Sequence, residues 1–328
     1  MKTNLLLIST FLSLHILAQD KPSAFFRLSE DNDGINALFK GQDWGYTNGI
    51  RIDYFRQLAG NPAGFFNRFP FRTDKHSITT SGWGLVQAMY APQKTKPAIP
   101  DKNDYAYAGG LFAVHTVHIS NPVKKQTWRA EWIAGIMGPP SFARQTQIFI
   151  HRLIGDPEPN GWAYQLPTDL LLNLNLGFEK RVTGNHFIDF CAGPQVYAGT
   201  FQSGVSFSGT LRFRSSISCY DGLASEFFGN KKNQLACLLS IKPSIDFTLH
   251  HALLDGGLFN RNSPVHNKNA VSGTSLVRNK LTSQLDCTLL LSWRRLSLSF
   301  SQKMMSREYK GYENHSVGNV SLYVGWGR

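Results

Sequence analysis

The stretch 235–250, LACLLSIKPSIDFTLH, sets Leu235, Cys237, Leu239, Ile241, Pro243, Ile245, Phe247 and Leu249 against Ser240, Lys242, Ser244, Asp246, Thr248 and His250. Successive side chains of a strand point to opposite faces, so this segment makes one apolar and one polar surface. Residues 281–293 repeat the pattern, with Leu281, Leu285, Cys287, Leu289, Leu291 and Trp293 opposed to Thr282, Gln284, Asp286, Thr288 and Ser292. Further alternating runs span 170–178, 205–213, 296–300 and 320–326. A soluble sandwich also alternates. Strands of roughly 10 residues or more suit a tilted membrane crossing better. Polar faces such as Asn173, Asn175 and Glu179, or Ser206, Ser208, Thr210 and Arg212, suit a wet interior. A closed barrel also leaves no strand edge for lipid to satisfy. The expected fold is therefore all-β, a transmembrane antiparallel β-barrel.

Twelve alternating segments can be counted, near 23–31, 45–58, 80–90, 105–119, 125–137, 168–183, 185–199, 201–213, 235–250, 276–292, 293–306 and 315–327. An even count puts both termini on the periplasmic side. The connections 59–79 and 214–233 then belong to that side, although both are longer than ordinary periplasmic turns. One segment breaks the alternation. Residues 141–154 have helical spacing, follow Pro139-Pro140 and stop before Gly155-Asp156-Pro157. Ser141 is the expected N-cap and Gly155 the expected C′ residue. At ~100° per residue, Phe142, Phe149 and Leu153 share one side, and Arg144, Gln147 and His151 roughly the other. The spacing predicts a short helix in an extracellular loop that docks by its apolar side and presents His151 to a site.

Composition agrees with a cell-envelope setting. Lys2 and the apolar stretch Leu5 to Leu14 read as an export signal, with Ala18 before Gln19 a fitting cleavage site. The expected organisation is a signal peptide over 1–18 and one barrel domain over 19–328. No later segment has the ~18 uninterrupted apolar residues of a membrane helix. Cys191, Cys219, Cys237 and Cys287 lack metal spacing and read as isolated, small apolar thiols. A net charge of +12 and a pI near 9.6 favour polyanions, and export makes nucleic acid the weakest of them. With aromatic residues at 12% of the chain, girdles at two membrane interfaces can be filled, and Trp128, Trp132, Trp293 and Trp326 are read as such.

Three polar clusters stand out. They are Glu30-Asp31-Asn32-Asp33 with Tyr46-Thr47-Asn48-Gly49; Tyr90-Ala91-Pro92 with Lys94, Lys96, Asp104 and Tyr107-Ala108-Gly109; and Gly138-Pro139 with Gln147, His151, Gly161-Trp162 and Gln165. Strand parity sends all three to loops 1–2, 3–4 and 5–6, at the extracellular end. Taken singly, Asn32-Asp33-Gly34 is an ordinary turn, Thr47 an ordinary strand residue, and Lys94 and Lys96 a solvated loop. In this order and spacing, over roughly residues 24–182, the set resembles the outer-membrane lipid A 3′-O-deacylases.

The resemblance implies a twelve-stranded, calcium-dependent barrel, expected as a monomer, that removes an ester-linked acyl chain from lipid A or lipopolysaccharide in the outer leaflet. Carried over position by position, it puts the family's asparagine and aspartate at Asn32 and Asp33, its threonine at Thr47, its glutamine at Gln147 and its histidine at His151. A basic residue for substrate phosphate falls at Lys94 or Lys96. Tyr105 stands where many members have arginine. The residue types suit ester hydrolysis. Imidazole can take a proton from water near neutral pH, and a hard cation at Asp33 can polarise a carbonyl. Rival expectations are an outer-membrane phospholipase, which needs a serine beside the histidine, and a non-catalytic porin-like barrel. In the latter, Arg129, Glu131, Asp189, Lys242 and Asp246 could pair and plug the interior.

Overall fold

Twelve antiparallel strands pair in chain order, and β1 closes the sheet on β12. They are β1 (Ala24–Asn32), β2 (Gly45–Gln57), β3 (Ile78–Ala91), β4 (Ala108–Asn121), β5 (Gln126–Met137), β6 (Asp169–Gly184), β7 (Ile188–Gly199), β8 (Gln202–Ser215), β9 (Ala236–His251), β10 (Leu281–Trp293), β11 (Leu296–Met305) and β12 (His315–Trp326). The computed structural model describes residues 22–36, 44–59, 64–68, 74–229, 234–267 and 270–327. The expected export signal over 1–18 lies outside them. The sandwich alternative is excluded, because every strand has two partners and no edge remains.

Alternation divides wall from interior as the sequence implies. Leu28, Ile52 and Leu85 point outward and are about half exposed, at 50%, 49% and 53%. Arg27, Arg51, Glu131 and Lys242 point inward and line a chamber of about 530 Å³. Several of its charges are paired: Arg51 to Asp53 at 3.0 Å and to Glu131 at 3.1 Å, Arg212 to Glu179 at 2.6 Å, and Lys303 to Asp31 at 3.0 Å. Trp128, Trp293 and Trp326 all lie toward the periplasmic ends of their strands, where Trp326 packs on Phe26 and Tyr54.

The barrel is stopped at both mouths. At the outer mouth, where β1 hands over to β2, Trp44, Tyr90, Tyr105, Phe112, Leu253 and Tyr309 form one apolar cluster. Strands 4 and 10 consequently begin later than expected, at Ala108 and Leu281. Tyr105 and its neighbours turn inward into this stopper, with Tyr105 1% exposed. The inner mouth is closed by the long β8–β9 connection, which folds into the barrel. Ile217, Tyr220, Leu223 and Phe228 pack there on Phe25, Phe55 and Tyr323. Phe227 stacks on Tyr323 at 4.3 Å, and Phe25 on Phe55 at 4.9 Å. The length of residues 214–233 is thus explained by a plug. The other long connection carries a single helical turn, α1 (Phe65–Arg68), whose Phe66 packs against Trp132 on the outer wall at 5.3 Å.

Among the described residues an aromatic cluster fills each mouth, so the purified protein should show no steady single-channel current in a planar bilayer. Replacing residues 217–228 by a short turn should increase leakage. A stable conductance from the wild-type chain would contradict the double closure.

Candidate functional site

The site is built on the outer face of the wall at the rim. In β1, Arg27, Ser29 and Asp31 face the chamber, so Glu30 and Asn32 face outward. Asn32 pairs with Asn48 of β2. Between β2 and β3 the register passes from Tyr46↔Tyr90 to Asn48↔Met89, leaving Thr47 as the extra residue of a β-bulge. Tyr46 keeps its hydroxyl inside, donating to Asp31 at 2.9 Å. Beyond the bulge, Gly49 and Arg51 again line the chamber. The added residue therefore puts two consecutive side chains, Thr47 and Asn48, on the same outer face.

A tight turn places the aspartate. Asn32 Oδ1 accepts from the Gly34 amide at 2.7 Å, and the Asp33 amide donates to the Thr47 carbonyl at 3.3 Å. The turn reading of Asn-Asp-Gly and the site reading are therefore the same structure. Asp33 is 6% and Thr47 3% exposed.

Over these residues lies α2 (Ala143–Ile154), which differs from the expected helix in two ways. Ser141 is not its N-cap. It ends a 3₁₀ turn, Pro139–Ser141, and its hydroxyl donates to Gly138 O at 2.7 Å, while Phe142 takes the cap position with φ 59°. The docking face is also reversed. Ala143, Gln147 and His151, one per turn, are the buried set, while Phe149 and Leu153 are 66% and 74% exposed. Around a wall carrying Leu28, Ile52 and Leu85 the medium is hydrocarbon. The apolar stripe belongs outward there, and the polar stripe needs partners in the cleft. Gly109 permits the close approach: a Cβ there would fall 2.3 Å from Ala143 Cβ and 2.4 Å from Ser141 Oγ. Gly155 ends the helix in the left-handed region, φ 79°, as expected.

The two candidate side chains of α2, His151 and Gln147, are oriented by the segment that follows it. His151 Nδ1 lies 2.7 Å from the Pro157 carbonyl, which can only accept, so Nδ1 carries the proton and Nε2 is the basic nitrogen. Trp162 Nε1 donates to Gln147 Oε1 at 2.7 Å, leaving the Gln147 amide nitrogen to address the cleft. Arg152 donates to Glu158 at 2.6 Å, and this holds the carboxyl below its ordinary range and ties the segment to the helix.

Asn32, Asp33, Thr47, Gln147 and His151 together line one cleft of about 240 Å³, between wall and helix. Lys94 and Lys96 do not line it. Both are exposed on the neighbouring loop, which is fastened to the His151 segment by Asn160, whose amide donates to Thr95 O and whose side chain donates to Lys96 O, each at 2.9 Å. Asn48, Met89, Ile150, Ile154 and Asp156 also border the cleft, and the sequence reading did not single them out as site residues. Ile150 and Ile154 flank His151 at helical spacing and could have been found. The bulge that turns Asn48 outward has no signature in the sequence.

The donor set fits a hard cation. The cleft offers one carboxylate with hydroxyl and amide oxygens, as calcium accepts. Thr47 Oγ1 is buried with no hydrogen-bond partner among the described residues, a costly state for an oxygen unless something occupies the cleft beside it.

A family profile described as outer membrane protein LpxR matches residues 5–326. Among solved structures, LpxR from Salmonella typhimurium aligns with a TM-score of 0.68 at 15% identity, over 92% of this chain and 100% of that one. The translocator domain of the autotransporter NalP from Neisseria meningitidis aligns with a TM-score of 0.46 at 7% identity, over 98% of this chain and 93% of that one. No curated protein matches the sequence.

The seating of α2 is open to a direct check. Gly109→Val should overpack its contact by ~1–3 kcal/mol. Trypsin should then cut after Arg144 or Arg152 roughly ten-fold faster, tenfold being ~1.4 kcal/mol, with the barrel's heat-modifiable gel mobility unchanged. Cleavage at the wild-type rate would show that the helix does not rest on Gly109.

Proposed function

The chain belongs to the LpxR family of outer membrane proteins, and from that premise we propose that it hydrolyses an ester-linked acyl chain of lipid A in the cleft beneath α2. The observation that carries this reading is the convergence of Asn32-Asp33, Thr47, Gln147 and His151, from three separate parts of the chain, on one cleft outside the barrel wall. A substrate embedded in the outer leaflet reaches such a cleft sideways, without entering the barrel.

In the proposed reaction, His151 Nε2 takes a proton from a water molecule as the water oxygen attacks the ester carbonyl. The tetrahedral intermediate then collapses, the bond to the sugar oxygen breaks, and His151 returns the proton to that leaving oxygen. The Pro157 carbonyl keeps the imidazole in the required tautomer throughout. Gln147, held by Trp162, offers amide N–H groups to the substrate. Asn32 shapes the turn that presents Asp33. A calcium ion held by Asp33 and Thr47 would polarise the carbonyl and stabilise the oxyanion. Lys94 and Lys96, on the adjoining loop, are proposed to meet the lipid A phosphates. Export by residues 1–18 and action as a monomer complete the proposal, the sheet closing within one chain.

The phospholipase alternative asks for a serine beside His151. Among the described residues no serine lines the cleft, and the Ser141 hydroxyl donates to the Gly138 carbonyl.

Expression in an outer membrane, followed by mass spectrometry of extracted lipid A, tests the reading. The expected result is loss of one acyl chain. His151→Ala should slow it by ~10²–10⁴ and Asp33→Ala by ~10²–10³, and a chelator should suppress it until calcium is restored. Full acylation by a folded, calcium-supplied barrel would refute deacylation.

A further inference from the structure

Asn48 and Glu30 form an outward-facing pair whose placement has no explanation in the barrel itself. Two residues earlier along β1, Leu28 faces out and is 50% exposed. Glu30 continues this outward row, where a carboxylate is costly unless it has a task. Its Oε1 accepts from Asn48 Nδ2 at 2.5 Å. The nitrogen of the Asn48 amide therefore faces Glu30 and its oxygen faces away. Asn48 is itself one of the residues that line the cleft, and it is only 4% exposed. Asn48 Oδ1 has no hydrogen-bond partner among the described residues, and neither has Thr47 Oγ1, from the adjacent bulge position.

We infer that Asn48 is a further oxygen ligand of the cation in this cleft, and that Glu30 is the positioning residue that aims it. The inference rests on the calcium-dependent reading above. Its physical content is the arrangement of acceptors. With Glu30 occupying the amide nitrogen, Asn48 contributes only an acceptor, next to a hydroxyl oxygen and near the Asp33 carboxylate. A group of converging oxygens asks for a cation, and the bulge alone brings Thr47 and Asn48 to the same face. Glu30 adds negative charge behind the amide, which strengthens its oxygen as a donor to a metal.

Calorimetric titration of calcium alone into the purified, folded protein tests this without reference to catalysis. Asn48→Ala should weaken calcium binding by ~10-fold or more, the scale seen when a group supporting a metal is removed. Asn48→Asp, which keeps an oxygen at that place, should bind more tightly than Asn48→Ala. Glu30→Ala should weaken binding as well, whereas Glu30→Gln should recover most of it, since its amide oxygen can still accept from Asn48. A heat-dependent shift in gel mobility equal to the wild type's would establish that each variant is folded. Wild-type affinity in Asn48→Ala, with binding lost in Asp33→Ala, would overturn the role of Asn48 and leave the calcium reading intact. Absence of calcium binding in the wild-type chain would overturn both.

Discussion

Within hydrocarbon a backbone amide or carbonyl has no partner except another backbone group, and this closes the twelve-stranded ladder on itself. The rest of the molecule is attached to a wall that cannot be opened. Function has to be carried by side chains, by loops at the rims, and by the few places where the ladder tolerates an irregularity. The bulge at Thr47 is such a place, one residue pair from the end of β1 and covered by α2. There the wall turns consecutive polar side chains outward, and the Thr47 carbonyl accepts from the Asp33 amide.

The same constraint inverts the usual logic of amphipathic packing. In water a helix buries its apolar stripe, and a sequence reading made on that assumption docks α2 by Phe149 and Leu153. On the outside of a lipid-facing wall the apolar stripe is already among its own kind. What drives docking is the need of Gln147 and His151 for partners, supplied by Trp162 and the Pro157 carbonyl. The cleft is polar because its lid is an inverted helix. The barrel interior, filled by aromatic clusters at both mouths and crossed by ion pairs, is a rigid support. That rigidity fixes the outer wall on which the cleft is built.

Much of this was legible in the residues. Period-2 alternation located all twelve strands to within a few positions, because each face meets a different medium. The ordered motifs around Asn32, Thr47, Gln147 and His151 marked one rim, and strand parity put them at one end. Less legible was whatever depends on chain geometry. Nothing in Tyr46-Thr47-Asn48 announces an extra residue in the ladder, so Asn48 passed as part of a strand. Tyr105 and Leu281 stand at strand boundaries that shifted because residues beside them fold into the outer stopper. The β8–β9 connection showed only its length, and its descent into the barrel follows from Phe228 and Tyr220 finding Phe25 and Phe55.

The central claim is that substrate meets the protein on the outer wall beneath α2 and not through the barrel interior. Site-specific photo-crosslinking in outer membranes tests this most directly. A photoreactive residue in place of Ile154, at the lip of the cleft, should capture lipid A, and one in place of Arg129, inside the chamber, should not. Capture from the Arg129 position with none from Ile154 would contradict the account.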